Sequence, residues 1–170
     1  MADDQMKLFV DLSAILTGID GTMLAPPLAP VEVDVKTVYF DTAQTKDGAV
    51  FANLLAIYSQ NQTKPPAEIA DLLLNQSGDD VKYLCRSIML MWYLGSWYDP
   101  KDLQAAAKAA AAGHQPKFVP SMVVSADAYT QGWAWSVAQA HPMGYSTFQF
   151  GYWSTDPPSL SDFIGTGAAQ

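Results

Sequence analysis

Apolar positions in this chain recur mostly at helical spacing, in blocks separated by proline and glycine. Phe9, Leu12, Leu16 and Ile19 fall on one stripe and predict a helix over residues 4–19, closing near Gly18 and Gly21. The prolines within residues 20–30 forbid its continuation and mark a surface connector. Residues 31–44 read two ways: Val31, Val33 and Val35 alternate like a strand, whereas Val35, Val38, Tyr39 and Thr42 step like a helix. A helix is expected there, because no second strand is evident to pair with it. A cleaner helix follows over residues 48–59, with Val50, Phe51, Leu54, Leu55 and Tyr58 on one face. Lys64, Pro65 and Pro66 interrupt the chain and start a short helix that buries Ile69, Leu72 and Leu73.

The strongest helical pattern covers residues 77–97. Asp79 and Asp80 stand in its first turn, where the helix dipole favours anions, and Val81, Leu84, Cys85, Ile88, Trp92 and Gly95 trace one face. Residues 88–94 are apolar all round, as expected of a central helix enclosed by its neighbours. Asp99 as cap and Pro100 at the first helical position open an alanine-rich helix closed by Gly113. With so little to bury, that helix is expected to decorate the surface or lie close against another. Residues 114–124 are a connector, and residues 125–140 predict one more helix, capped by Ser125 and ended by Pro142. Tyr129, Trp133, Val137 and Ala140 would share one face of it. Trp135, two positions from Trp133, would point roughly 200° away, so the two indoles cannot enter one core. The expected fold is therefore mainly α: a single compact domain over residues 1–170 with about six or seven helices and an irregular aromatic C-terminal segment, residues 141–158.

Composition narrows the function. The chain has 170 residues and 17 Asp and Glu against 9 Lys and Arg, for a net charge of −8. Arg86 is its one arginine. Nucleic-acid recognition leans on basic surfaces and arginine forks, and anionic lipid on polybasic segments, so neither partner is expected. No apolar run approaches the roughly 20 residues of a membrane span, and no direct membrane insertion is expected. A single cysteine excludes an internal disulfide, and two histidines with no metal-type spacing give no reason to expect a metal. Cys85, on the apolar face of the central helix, reads as a buried structural thiol. GxGxxG, P-loop and GxSxG motifs are all absent, so no catalytic or cofactor-binding residue is assigned. His141, at the end of a predicted helix, has the chemistry of a general base, but no nucleophile stands near it in a known motif. A structural imidazole bonding the last carbonyls explains it better.

The stretch from 129 to 158 holds three of the five tryptophans and three of the eight tyrosines. Trp133 and Trp135 on opposite helix faces, followed by aromatics in a Gly- and Pro-rich tail, suggest a protein partner, because such residues dominate interface hot spots.

A series of motifs adds a resemblance. LSAILTG (12–18), MWYLG (91–95), VVSADAY (123–129), the W-x-W of Trp133 and Trp135, AHPMGYS (140–146) and FGYW (150–153) with a following proline pair occur in this order. The series resembles the small subunit of bacterial FAD-dependent sugar and polyol dehydrogenases, the sorbitol dehydrogenase small-subunit family, over most of the chain. The resemblance implies a non-catalytic, periplasmic accessory subunit. Its partner would be a large flavoprotein that holds the FAD and oxidises the sugar, with a multihaem cytochrome c subunit passing electrons onward. It also implies that His141, Tyr145, Phe150, Tyr152 and Trp153 lie toward the partner, beside Trp133 and Trp135. The family's small subunit carries a twin-arginine export signal, and none is present here, so either it has been removed or this member is not the export carrier. The alanine-rich helix looks like an insertion beside the family pattern. The alternative reading is a stand-alone helical sugar- or ligand-binding protein or enzyme with a pocket around His141.

Overall fold

The computed structural model describes residues 2–25, 34–115 and 118–140. Helix α1 (Ala2–Thr17) buries Phe9, Leu12 and Leu16 on the predicted stripe, and Ile19 is buried just beyond its end. The Thr17 hydroxyl donates to the Ser13 carbonyl at 2.7 Å and accepts from the Ile19 N–H at 3.3 Å, which turns the chain into a short helix, α2 (Gly21–Leu24). Asp20 caps α2 by accepting from the Thr22 N–H at 2.8 Å.

The two helices expected over residues 31–44 and 48–59 are observed, end to end across a bend, and are together labelled α3 (Val35–Asn61). Its bend sits at Asp47, with φ −149° and ψ 49°, just before Gly48. The helical alternative for Val35, Val38 and Tyr39 holds, and Val31 and Val33 lie outside the described residues. Across the bend, Phe40 and Phe51 meet edge to face at 5.3 Å and both pack edge-on against Phe9 at 5.7 Å. The bend thus keeps both halves of α3 on α1.

Pro66 opens α4 (Pro66–Asp71), which runs into a π-helical turn over Leu72–Gln76. Ile69 and Leu73 are buried, while Leu72 is only half-buried. The central helix is α5 (Asp79–Leu94), packed against α1, α3, the π turn and the elements that follow it. Val81, Leu84, Cys85, Ile88 and Trp92 are buried on it as the pattern predicts. Trp92 stacks on Phe9 at 6.1 Å and meets Tyr39 edge-on at 4.8 Å, which joins α1, α3 and α5 into one core.

Helix α5 stops three residues earlier than the apolar pattern suggests. Gly95 takes a left-handed conformation, φ 63°, and its N–H donates to the Met91 carbonyl at 2.9 Å. Trp97, expected on the helix, instead lies buried on strand β1 (Ser96–Tyr98). Asp99 then caps α6 (Pro100–Ala111) by accepting from the Lys101 N–H at 2.9 Å. Along α6, Leu103, Gln104, Ala106 and Ala107 are half-buried, and the helix lies against α5, so the second of the two expected roles is the one it fills. Gln104 and Lys108 both reach Asp79 on α5, Lys108 at 3.7 Å.

The connector expected over residues 114–124 contains β2 (Ser121–Val123), antiparallel to β1 with Ser96 opposite Val123, Trp97 opposite Met122 and Tyr98 opposite Ser121. Residues 125–140 are two short helices rather than one, α7 (Ala126–Thr130) and α8 (Trp133–Val137). The expected mainly helical domain is observed, with one two-stranded sheet among the described residues.

Candidate functional site

Three of the motifs behind the family resemblance meet where α5 ends. A Cβ placed on Gly95 would lie 2.3 Å from the Ala128 carbonyl oxygen, and one on Gly132 would lie 2.8 Å from the Tyr93 carbonyl oxygen. Real Cβ contacts are never so short, so both positions exclude a side chain. The backbone of α7 and the turn into α8 therefore sit directly on the last turn of α5. The Val124 N–H donates to the Gly95 carbonyl at 3.0 Å, and the Tyr39 hydroxyl donates to the Ala128 carbonyl at 3.3 Å. Burial raises the Tyr39 hydroxyl's pKa, so it remains a donor throughout the ordinary pH range. MWYLG, VVSADAY and W-x-W are thus parts of one junction.

Gly132 also explains why one predicted helix became two. Gly132 lies against the Tyr93 carbonyl at the break between α7 and α8, and α8 packs on α5. Ser125 caps α7 as expected, accepting from the Ala128 N–H at 3.0 Å. Within α8 the two tryptophans do diverge. Trp133 packs against the core, whereas the Trp135 indole N–H donates to the Tyr129 carbonyl at 2.8 Å and its ring meets Tyr129 edge-on at 5.5 Å. Trp135 braces the α7–α8 corner. Both indoles are half-buried, and Val137, expected on the same face as Trp133, is exposed. Of the other residues expected to face a partner, His141, Tyr145, Phe150, Tyr152 and Trp153 lie outside the described residues, and Trp133 and Trp135 pack on different neighbours.

Beside this junction is a cavity of about 260 Å³ lined by residues that include Leu24, Asp34, Trp92, Gln131, Trp133 and Ser136. Ala25 and Asp34, on either side of residues 26–33, both line it. Asp34 caps α3 through the Thr37 N–H at 3.3 Å and accepts from the Thr37 hydroxyl at 2.9 Å and Lys36 at 2.8 Å. Partial burial opposes its charge, but the bonds from Lys36 and Thr37 outweigh that and hold its pKa below the usual value. Trp92 is 1% exposed, and its indole N–H has no hydrogen-bond partner among the described residues. An unpartnered buried donor costs about 1–3 kcal/mol, which makes this N–H the least satisfied group beside the cavity.

Catalytic chemistry has little to work with among the described residues. Burial pushes the Cys85 thiol up to about 12, so it stays protonated and unreactive at neutral pH. His114 is exposed, and no group of three or more His, Cys, Asp or Glu is arranged to hold a metal ion among the described residues. Asp99 is a cap and Asp79 a surface partner of α6, as their positions at helix starts suggest. No described helix is long and apolar enough to cross a membrane.

Sequence reasoning missed the two-stranded sheet. Strand β2 is exposed throughout, with Met122 45% and Val123 53% exposed, and Phe118 just before it is 87% exposed. Two three-residue strands are too short for period-two alternation to register, although Trp97, Tyr98, Val123 and Val124 are residue types that favour strands. No family model matches the chain, and neither do curated proteins or solved structures.

Proposed function

We propose that this chain is the non-catalytic small subunit of a periplasmic FAD-dependent sugar or polyol dehydrogenase complex. It binds and stabilises a large FAD-containing subunit, with a multihaem cytochrome c subunit as the further electron-transfer partner. The observation that carries this reading is the ordered motif series, three members of which pack into the junction around Gly95. The exposed apolar residues Phe118, Met122 and Val123 beside that junction supply surface suited to a protein partner.

The test is co-expression with a flavoprotein encoded beside this chain, followed by affinity purification, a visible spectrum and a dye-reduction assay with sugars and polyols. A co-purifying large subunit with a flavin spectrum and sugar-dependent dye reduction is the expected result. A chain that binds FAD by itself, or that never retains a flavoprotein, overturns it.

A second reading, a stand-alone sugar- or ligand-binding protein, is favoured by the cavity beside Trp92 and its unpartnered N–H. Its test is calorimetric titration of the isolated chain with sugars and polyols. Binding that His141→Ala abolishes without altering the fold would favour this reading over the accessory subunit.

A further inference from the structure

We infer that residues 118–140 form a strap that opens as one unit from a helical body that stays folded. The first ground is the distribution of burial. Among the described residues, every buried apolar side chain lies at or before Pro100 except Ala128. The body therefore owns its core: Phe9, Phe51, Leu84, Ile88 and Trp92 are buried by one another and by α1, α3 and α5. The strap contributes a single fully buried methyl group, with Val124 and Trp133 packed partly against that core.

The second ground is how the strap is attached. It is held by the three-residue β1–β2 ladder, by the Val124 N–H to Gly95 bond and by the Tyr39 hydroxyl to Ala128 bond. The β2 side of the ladder is solvent-exposed, so water competes for those bonds. The third ground is that the strap is braced internally. Ser125 caps α7, the Trp135 N–H bonds the Tyr129 carbonyl, and the two rings pack together. Bonds inside the strap survive when its bonds to the body are lost, so it leaves as a unit rather than fraying residue by residue. Opening uncovers the Tyr39 hydroxyl, the outer edge of β1 with Trp97, and the Trp92 side of the cavity. The strap is in this sense a cover over an aromatic face of the body.

This inference concerns the isolated chain and is independent of the proposed dehydrogenase partner, so either can fail without the other. The experiment is residue-resolved native-state hydrogen exchange on the full chain at sub-denaturing guanidinium concentrations. The amides of Met122 and Val124, bonded across the β1–β2 ladder and to the Gly95 carbonyl, should share one opening reaction. They should exchange at least about tenfold faster than those of Leu84, Ile88 and Met91, with a weaker dependence on denaturant. Gly132→Ala should accelerate the strap amides by a further factor of about ten and leave the α5 amides within about twofold of their starting rates. Should Gly132→Ala not fold, Ala128→Gly, which removes the buried methyl, should give the same split. Strap and α5 amides falling on one denaturant curve, or unrelated rates for Met122 and Val124, would overturn the inference.

Discussion

Two tryptophan-bearing regions of this protein are packed in opposite ways. In the helical body, Trp92 is almost wholly enclosed, stacked on Phe9 and edge-on to Tyr39, and the side chains decide how closely α1, α3 and α5 approach. In residues 118–140, Trp133 and Trp135 stay half-buried, and the closest approach to the body is backbone on backbone, at Gly95 and Gly132. The body is stabilised by apolar area removed from water, which is large and tolerant of small shifts. The strap depends on two points where any added atom collides, so it contributes little area and is sensitive to single substitutions. A tryptophan count alone would have assigned the two regions equal weight.

Substitutions should separate the two modes. Trp92→Ala should have the largest effect, lowering global stability by about 3–5 kcal/mol through lost burial and the cavity left behind. Denaturant titration followed by far-ultraviolet circular dichroism checks it, and a loss under about 1 kcal/mol would mean that the aromatic cluster is not the keystone of the body. Gly95→Ala comes next. Its left-handed backbone and the 2.3 Å collision with Ala128 should cost about 1–3 kcal/mol or more. That loss should appear first as detachment of residues 121–137, read by hydrogen exchange, with the body still cooperative. Simultaneous loss of both regions would erase the distinction between them.

Ser125→Ala should cost about 1 kcal/mol by removing the cap of α7, and the loss should fall on the strap amides. For pH, Asp34 is the informative carboxylate. Its folded pKa lies below the ordinary value, so it adds stability that is fully present above about pH 4 and is lost as pH falls through its folded pKa. Asp34→Asn should flatten the acid limb of the stability curve, and an unchanged limb would remove Asp34 from the account. The smallest effect is expected at Phe118, 87% exposed, where Phe118→Ser should change stability by no more than about 0.5 kcal/mol. If the same substitution weakened retention of a flavoprotein, the exposed β2 segment would belong to the partner surface.

The sequence was most informative where helical spacing and cap chemistry agreed. Phe9, Leu12 and Leu16 on α1, Phe51, Leu54 and Tyr58 on α3, and Leu84, Ile88 and Trp92 on α5 are buried as their spacing requires. Asp99 and Ser125 begin the helices that they were expected to begin. Each of these depends on side chains within a few residues of one another, which is the range over which a linear pattern carries information.

What the sequence left open was decided by contacts between distant segments. Trp97 continues the apolar pattern of α5, but Gly95 turns the chain and Met122, 25 positions away, pairs with Trp97 in a sheet. Residues 125–140 have helical periodicity throughout, yet the chain breaks at Gly132, against the Tyr93 carbonyl, and α8 packs on α5. The cavity beside Trp92 draws its walls from α2, α3, α5, α8 and the turn before α8, and no local spacing could have announced it. Periodicity determines which face of a segment is apolar, because that depends on the helix alone. Only the assembled fold determines where a segment must stop, because that depends on the backbone it meets.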